Sequence, residues 1–221
     1  MEIALNYKVN GVTIRSENAA KPHTMPSGYL CSYIQSTNKS GRALDFGCGK
    51  LRYSEQLVDK FETVTFLDSR KQLERMQVIR GIKTTIPEYV SNNYKRANVI
   101  PFEDIQEITS HYDFILCANV LSAIPCKLTI DKVICGIKDL LKNDGEALIV
   151  NQYKSSYFKK YEEGTKHLHG YIYQNSRSTS YYGLLDEATV KNICLANNIL
   201  VIKSWSKAGS SYVKIGKQKG I

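Results

Sequence analysis

The stretch Arg42-Ala43-Leu44-Asp45-Phe46-Gly47-Cys48-Gly49-Lys50 decides the fold of this chain. Its apolar residues predict a short strand that runs through an acid into a glycine turn, and the spacing of Ser54, Leu57 and Phe61 then predicts a helix. Because glycine has no Cβ, the backbone can turn sharply and a bulky ligand can lie against it. We therefore expect a nucleotide-type ligand at the carboxyl end of the first strand of a parallel sheet. Two glycines alone would also suit a plain turn.

Asp45 separates this loop from one that binds a pyrophosphate. A dinucleotide fingerprint has a third glycine, whereas Lys50-Leu51-Arg52 follows here. An acid beside the start of a helix also repels a phosphate. The loop therefore suits a ligand that is cationic at one end.

A second acid follows at a regular distance. The run Thr63-Val64-Thr65-Phe66-Leu67-Asp68 is β-branched and apolar, which predicts a strand, and Asp68 lies 23 positions after Asp45. This is close to the spacing expected when a second parallel strand delivers a carboxylate beside the first. Such a carboxylate can accept hydrogen bonds from both hydroxyls of a ribose.

With this loop and this acid, residues 41 to 215 resemble the class I S-adenosylmethionine (SAM)-dependent methyltransferases. The resemblance implies an α/β fold, namely a three-layer Rossmann-like sandwich around a seven-stranded, mostly parallel sheet with an antiparallel last strand. It also implies an enzyme that uses SAM as its cofactor. We accordingly divide the chain into an N-terminal extension, residues 1–40, and a methyltransferase domain, residues 41–221, with a Tyr/Lys-rich insertion at about 151–182.

The resemblance implies cofactor-binding roles for ten residues. It places the glycine loop at the amino-acid part of SAM, the second acid at the ribose, an acid with an apolar neighbour at the adenine, and the end of the fourth strand at the methyl group. In that order the residues are Asp45, Phe46, Gly47, Cys48 and Gly49; Asp68 and Ser69; Asp104 and Ile105; and Asn119. Judged from the residues alone, Glu103 or Asp104 could instead cap a helix.

The segment Asn119-Val120-Leu121-Ser122-Ala123-Ile124-Pro125 resembles the one that follows the fourth strand in methyltransferases of small molecules. A DNA amino-methyltransferase would have Asp or Asn, two prolines and Tyr or Phe here, so methylation of adenine N6 or cytosine N4 by that motif is disfavoured. No motif marks a catalytic residue. Candidates for a general base, which only a hydroxyl or a protonated amine acceptor would require, are His23, His169, Tyr29 and Tyr171.

Positive charge is concentrated in the C-terminal third. The chain has a net charge of +9, and residues 154–221 hold 11 Lys and Arg against 4 Asp and Glu, which is +7 of that total. Such asymmetry favours an anionic partner, of which nucleic acid is the obvious candidate. The alternative is a lysine-rich solvated surface.

The insertion is rich in tyrosine. Seven of the 15 tyrosines lie between Tyr153 and Tyr182, with lysines among them. Tyrosine faces can stack on bases while lysines neutralise phosphates, which would make the insertion a platform for the acceptor. Alternatively, the tyrosines are the core of a small packed subdomain.

These observations predict a SAM-dependent methyltransferase whose acceptor is a nucleic acid or is nucleotide-like. The alternatives are a small-molecule methyltransferase and a non-catalytic SAM-binding partner of nucleic acid. No run of about 18 apolar residues occurs and the N-terminus lacks the order of a secretory signal, so we expect a cytoplasmic protein without a membrane span. The six cysteines form no Cys-x-x-Cys pair, so we expect no metal site.

Overall fold

The computed structural model describes residues 6–15, 25–109, 111–174 and 179–217. Its strands are β1 (Asn6–Val9), β2 (Val12–Arg15), β3 (Arg42–Phe46), β4 (Thr63–Asp68), β5 (Gln77–Ile79), β6 (Ile82–Thr84), β7 (Ala97–Pro101), β8 (Tyr112–Ala118), β9 (Leu141–Gln152), β10 (Thr165–His167), β11 (Gly170–Gln174), β12 (Thr179–Gly183), β13 (Leu200–Lys207) and β14 (Ser210–Gly216). Its α-helices are α1 (Gly28–Ser36), α2 (Ser54–Lys60), α3 (Arg70–Glu74), α4 (Ile86–Asn93), α5 (Lys127–Leu140) and α6 (Glu187–Ala196). Short 3-10 turns cover Phe102–Glu107, Leu121–Ala123 and Ser156–Tyr161.

Seven strands form the central sheet in the order β13-β14-β9-β8-β3-β4-β7. The five strands from β9 to β7 are parallel, and β14 is antiparallel to both of its neighbours. The predicted fold class is therefore confirmed. Because parallel strands bring their carboxyl ends to one edge of the sheet, the segments that follow β3, β4, β7, β8 and β9 meet there.

Helices cover both faces of the sheet, since the central parallel strands β3, β4 and β8 are apolar and buried on both sides. One face packs against α5, α6 and the hairpin β1–β2, whose Tyr7 and Ile14 lie in the core. The other face packs against α1, α2 and α4, with Phe61 and Phe114 stacked at 5.2 Å between ring centroids. The N-terminal hairpin is thus part of the core of the domain.

Helix ends follow the sequence signals closely. Ser27 and Asp186 cap α1 and α6 by accepting the backbone N–H groups of Leu30 and Thr189. Helix α5 buries Ile130, Val133, Ile134 and Ile137 among others, at the spacing that predicts it. The apolar pattern in the sequence predicts a helix from Leu128 to Leu141, so the observed helix begins and ends one residue earlier.

Two parts of the fold were not predicted. The hairpin β5–β6 and helix α4 lie between β4 and β7; the hairpin has strands of three residues and turns at Arg80 and Gly81, whose φ angles are 48° and 82°. The insertion forms an antiparallel three-stranded sheet, β10-β11-β12. Within the described residues, no helix is both long enough and apolar enough to cross a membrane.

Candidate cofactor and acceptor site

The glycine turn after β3 is held against the end of β4. Gly47 and Gly49 have φ angles of 81° and 57°, which glycine adopts without strain. The amides of Gly47 and Cys48 donate to the carbonyl oxygen of Leu67 at 2.7 and 3.0 Å. The amide of Gly49 donates to Oδ2 of Asp68 at 2.8 Å. These three amides are therefore occupied, so the turn is not arranged as a phosphate cradle.

Asp45 and Asp68 lie at the carboxyl ends of two adjacent strands. Asp45 is 3% exposed, and no hydrogen bond from the described residues offsets its burial. Burial, with a smaller contribution from the charge of Asp68, raises the pKa of Asp45 to about 7. Asp68 accepts the amides of Gly49 and Ser69, and burial still raises its pKa to about 6. The pair would gain from a ligand that brings hydrogen-bond donors or positive charge.

Gly47 lies in contact with the segment that follows β8. A Cβ at this position would come within 2.3 Å of Cγ2 of Val120. The predicted site residues Phe46 and Cys48 are buried on either side of the turn, and Phe46 packs edge-on against Phe102 at 5.8 Å. Burial raises the pKa of the Cys48 thiol well above its usual value. Both side chains thus support the shape of the turn from the core.

Gln72 fixes the turn from the other side, and the sequence analysis missed it. Its side chain is fully buried, and its Nε2 donates to the carbonyl oxygen of Gly49 at 2.7 Å. Ser69, a predicted site residue, caps α3 by accepting the amide of Gln72 at 3.2 Å. The only signal for Gln72 in the sequence is its position, since it is a polar residue in the first turn of the helix that follows β4.

Asp104 and Ile105, predicted at the adenine, lie in the 3-10 turn after β7. Neither Glu103 nor Asp104 caps this turn through its side chain. Instead, both carboxylate oxygens of Asp104 accept Nη2 of Arg70 at 2.8–2.9 Å, and Ile105 is buried in the core. An adenine amino group at Asp104 would share the carboxylate with Arg70.

Asn119 connects the ends of β8 and β9. Its φ of 61° lies in the left-handed region, which asparagine tolerates better than most residues. Its backbone amide donates to the carbonyl oxygen of Val150 at 2.7 Å, and its side-chain Oδ1 accepts the backbone amide of Gln152 at 2.9 Å. The side-chain oxygen of Asn119 therefore orders the backbone at the position where the methyl group was predicted.

Aromatic residues of the insertion pack mainly against one another. Phe158 and Tyr182 stack with ring centroids 4.3 Å apart, and Tyr161 stacks on Tyr182 at 5.5 Å and meets Tyr173 edge-on. Strand β12 contacts β2 and the 3-10 turn Leu121–Ala123. This arrangement matches the packed-subdomain alternative, and it places the subdomain over the segment that follows β8.

The candidate general bases are not brought together. His23 lies outside the described residues, and the hydroxyl of Tyr29 accepts Nε1 of Trp205 at 3.0 Å on the α1 side of the sheet. His169 and Tyr171 are half-buried in the insertion. Burial lowers the pKa of His169, opposed by the charge of Asp186, which favours its neutral form. Among the three that the structure describes, the geometry selects none as a catalytic residue.

A sequence relative covers the whole chain. The chain is 66% identical over 221 residues to the uncharacterized protein YmfD of Escherichia coli strain K12, and the alignment spans 100% of both proteins. No model of a known protein family matches the chain.

Solved structures share the fold at low identity. The DhpI–SAM–HEP complex has a TM-score of 0.63 at 11% identity and covers 91% of this chain and 92% of its own. The PH0226 protein from Pyrococcus horikoshii OT3 has a TM-score of 0.61 at 14% identity, over 90% and 95% of the two chains. A SAM-dependent methyltransferase from Clostridium acetobutylicum ATCC 824 has a TM-score of 0.58 at 12% identity, over 85% and 87%. The expected class I methyltransferase fold is confirmed by these similarities.

Proposed function

We propose that this chain, which belongs to the same protein family as Escherichia coli YmfD, is a SAM-dependent methyltransferase. The observation that carries the proposal is the Asp45 carboxylate, buried at the end of β3 beside the glycine turn and without a hydrogen bond from the described residues. A cationic or donor-rich ligand would satisfy it, as the amino-acid end of SAM does in the resembled family. Solved neighbours in complex with SAM and with its demethylated product SAH, both of DhpI, support the choice of cofactor.

The chain offers a distinct group to each part of the cofactor. Asp45 and the turn that contains Gly47 would hold the amino-acid end, and Asp68 would accept the ribose hydroxyls. Asp104 and Ile105 would lie at the adenine. Bound SAM supplies an electrophilic methyl group, and the protein contributes by aligning it with the acceptor and by excluding water.

We favour a small molecule as the acceptor. The insertion covers the segment after β8, where β12 packs on the turn Leu121–Ala123. Within the described residues, the rings of Phe158, Tyr161 and Tyr182 stack on each other, so their faces are used inside the subdomain. A small molecule is a ligand that such a cover can surround.

Nucleic acid is the second candidate, and one surface favours it. Lys203, Trp205 and Lys207 alternate along β13, which is an edge strand, and so lie on one face of the sheet. Nζ of Lys203 is 5.6 Å from the centre of the Trp205 ring. Two lysines that flank an aromatic residue can neutralise phosphates on a single strand.

Calorimetric titration with SAM and SAH tests the cofactor assignment. Asp68→Ala should weaken binding about 10- to 150-fold, because hydrogen bonds to a charged group contribute roughly 1.5–3 kcal/mol. Asp59→Ala, an exposed acid on α2, is the matched control and should bind like the parent. Equal affinities for all three proteins would contradict the assignment.

The two acceptor classes are separated in a second experiment. Labelled SAM is incubated with the protein and a cell extract, and label is counted in the small-molecule and nucleic-acid fractions.

Binding of a single-stranded oligonucleotide is then measured at several salt concentrations. If nucleic acid binds at β13, replacing Lys203 and Lys207 by Glu should reduce the slope of log K against log salt by about 1.4. Absence of binding at low salt would exclude the nucleic-acid candidate.

A further inference from the structure

Asn151 at the carboxyl end of β9 is a buried amide without partners. It is 0% exposed, and neither its Nδ2 nor its Oδ1 has a hydrogen-bond partner among the described residues. Within that part of the chain, Asn151 alone has both polar atoms of its side chain buried and unpaired. Buried polar groups are nearly always hydrogen-bonded, and each one that is not lowers stability. An amide in this position therefore requires an explanation.

The amide lies at the end of the sheet where methyl transfer is proposed. Oδ1 of Asn119 accepts the backbone amide of Gln152, and the backbone amide of Asn119 donates to the carbonyl oxygen of Val150. Asn119 therefore binds both residues that flank Asn151. Side chains alternate along a strand, so Asn151 shares a face with Ile149. Ile149 belongs to the core cluster that includes Tyr181 and contacts α5.

Nearby hydroxyls are already engaged elsewhere. Ser211 pairs with Asn151 across the ladder, but its hydroxyl is 2.8 Å from the carbonyl oxygen of Leu185 and 3.3 Å from that of Asn151. The hydroxyl of Ser122 donates to the carbonyl oxygen of Asn119 at 3.1 Å. Local polar groups therefore bond to the backbone and leave the carboxamide unpaired.

Strand β12 covers this position closely. A Cβ on Gly183 would meet Cα of Ser122 at 3.3 Å, so the two backbones are in contact. The hydroxyl of Tyr182 donates to the carbonyl oxygen of Gln152 at 3.1 Å. Strand β12 thus packs against the turn Leu121–Ala123 and against the residue that follows Asn151.

We propose that Asn151 binds the methyl acceptor, and that the acceptor is a neutral heterocycle with a hydrogen-bond donor and acceptor side by side, as on the edge of a nucleobase. A carboxamide presents its N–H donors and its carbonyl oxygen side by side in one plane, and the edge of such a heterocycle can pair with one N–H and the oxygen together. The surrounding layer is apolar, so burying a charged group there would be costly. This inference rests on the proposed function, because it assigns the acceptor side of the same site.

The test uses the full chain with Asn151→Leu and, as a second variant, Asn151→Ala. Asn151→Leu should raise Tm by about 2–4 °C, since it removes an unpaired buried amide. Asn197→Leu is the matched control: its amide donates to Asp131 and to the carbonyl oxygen of Ile193, so its loss should lower Tm. If both Asn151 variants lose as much Tm as Asn197→Leu, the amide has partners within the folded chain and the proposal is overturned; a smaller loss in Asn151→Ala is expected from the cavity alone.

Ligand binding is measured in the same preparations. Adenosine, guanosine, cytidine and uridine are each dialysed against the protein with SAH at saturation, which keeps them out of the cofactor site. At least one should bind the parent, and Asn151→Leu should weaken it about tenfold or more while SAH affinity stays within about twofold. If SAH binds but no nucleoside does, or if the variant binds nucleosides equally well, this inference is wrong. If SAH itself does not bind, the proposed function has failed.

Discussion

Replacing Asp45 by Asn should stabilise the free protein at pH 7.5 while it weakens SAM binding. Burial raises the pKa of Asp45 from 3.8 to about 7, and one pKa unit corresponds to about 1.36 kcal/mol. The folded state therefore holds this proton more tightly than the unfolded state, and stability falls as the pH rises from about 4 to 7. Above pH 7, ionisation of Asp45 lowers the free energy of unfolding by on the order of 4 kcal/mol. Asparagine has the same shape and cannot ionise, so it avoids this loss. Because its own side-chain amide lacks a partner, we expect the free energy of unfolding at pH 7.5 to rise by only about 1–3 kcal/mol.

Urea denaturation followed through Trp205, the single tryptophan, measures this gain. The parent and Asp45→Asn are compared at pH 7.5 and at pH 5, where folded Asp45 is protonated. The difference between them should shrink by about 2–3 kcal/mol at the lower pH. Asp59→Asn, an exposed acid on α2, should differ little from the parent at either pH.

One result would refute this reasoning. If Asp45→Asn is less stable than the parent by the same amount at both pH values, Asp45 is ionised and hydrogen-bonded in the folded protein. The cofactor proposal would then lose the observation that carries it. Calorimetry on the same samples should show SAM affinity reduced at least about tenfold, because the variant lacks the carboxylate that we propose faces the cationic end of SAM.

Three further outcomes are expected. Binding of SAM at pH 7 should release about half a proton as Asp45 ionises, which titrations in buffers of different ionisation enthalpy detect. By the same linkage, SAM affinity should fall as the pH drops through about 7, where Asp45 becomes protonated, and fall further through about 6, where Asp68 does. Gly47→Ala should lower Tm, because its Cβ would come within 2.3 Å of Val120 at a φ of 81°, and adding Val120→Ala should restore part of the loss. Lys214→Met should lower the free energy of unfolding by about 3 kcal/mol, since it removes the 2.8 Å partner of the buried Glu146 carboxylate, and Glu146→Gln in the same chain should recover stability in denaturant melts.

The strand pattern was predictable because it depends on local composition. The apolar runs that end at Phe46, Asp68 and Ala118 form strands, the last of which spans Tyr112–Ala118. Their burial on both faces leaves little choice but a parallel sheet with helical cover. The hairpin β5–β6 escaped prediction because strands of three residues have too few positions to show alternation.

The candidate site was predictable only in part. Its position at Asp45 and Asp68 follows from two acids at successive strand ends, and the structure places them side by side, whereas their roles in binding remain predictions. Gln72, which holds the glycine turn, looks like any polar helix residue in the sequence. The position of Asp104 after a strand can be recognised in the sequence. Its ion pair with Arg70, 34 residues away, cannot, because it depends on how two loops pack together.

The sequence by itself determined the α/β fold of this protein and predicted a ligand site at the carboxyl ends of its strands. Hydrophobic period and glycine placement act over a few residues, so they can be recognised without knowing the fold. Only the tertiary structure decided that the tyrosines of the insertion stack on each other and that the amide of Asn151 is buried without a partner. Both features depend on which distant segments fill the same space, and packing of that kind is settled by the whole chain.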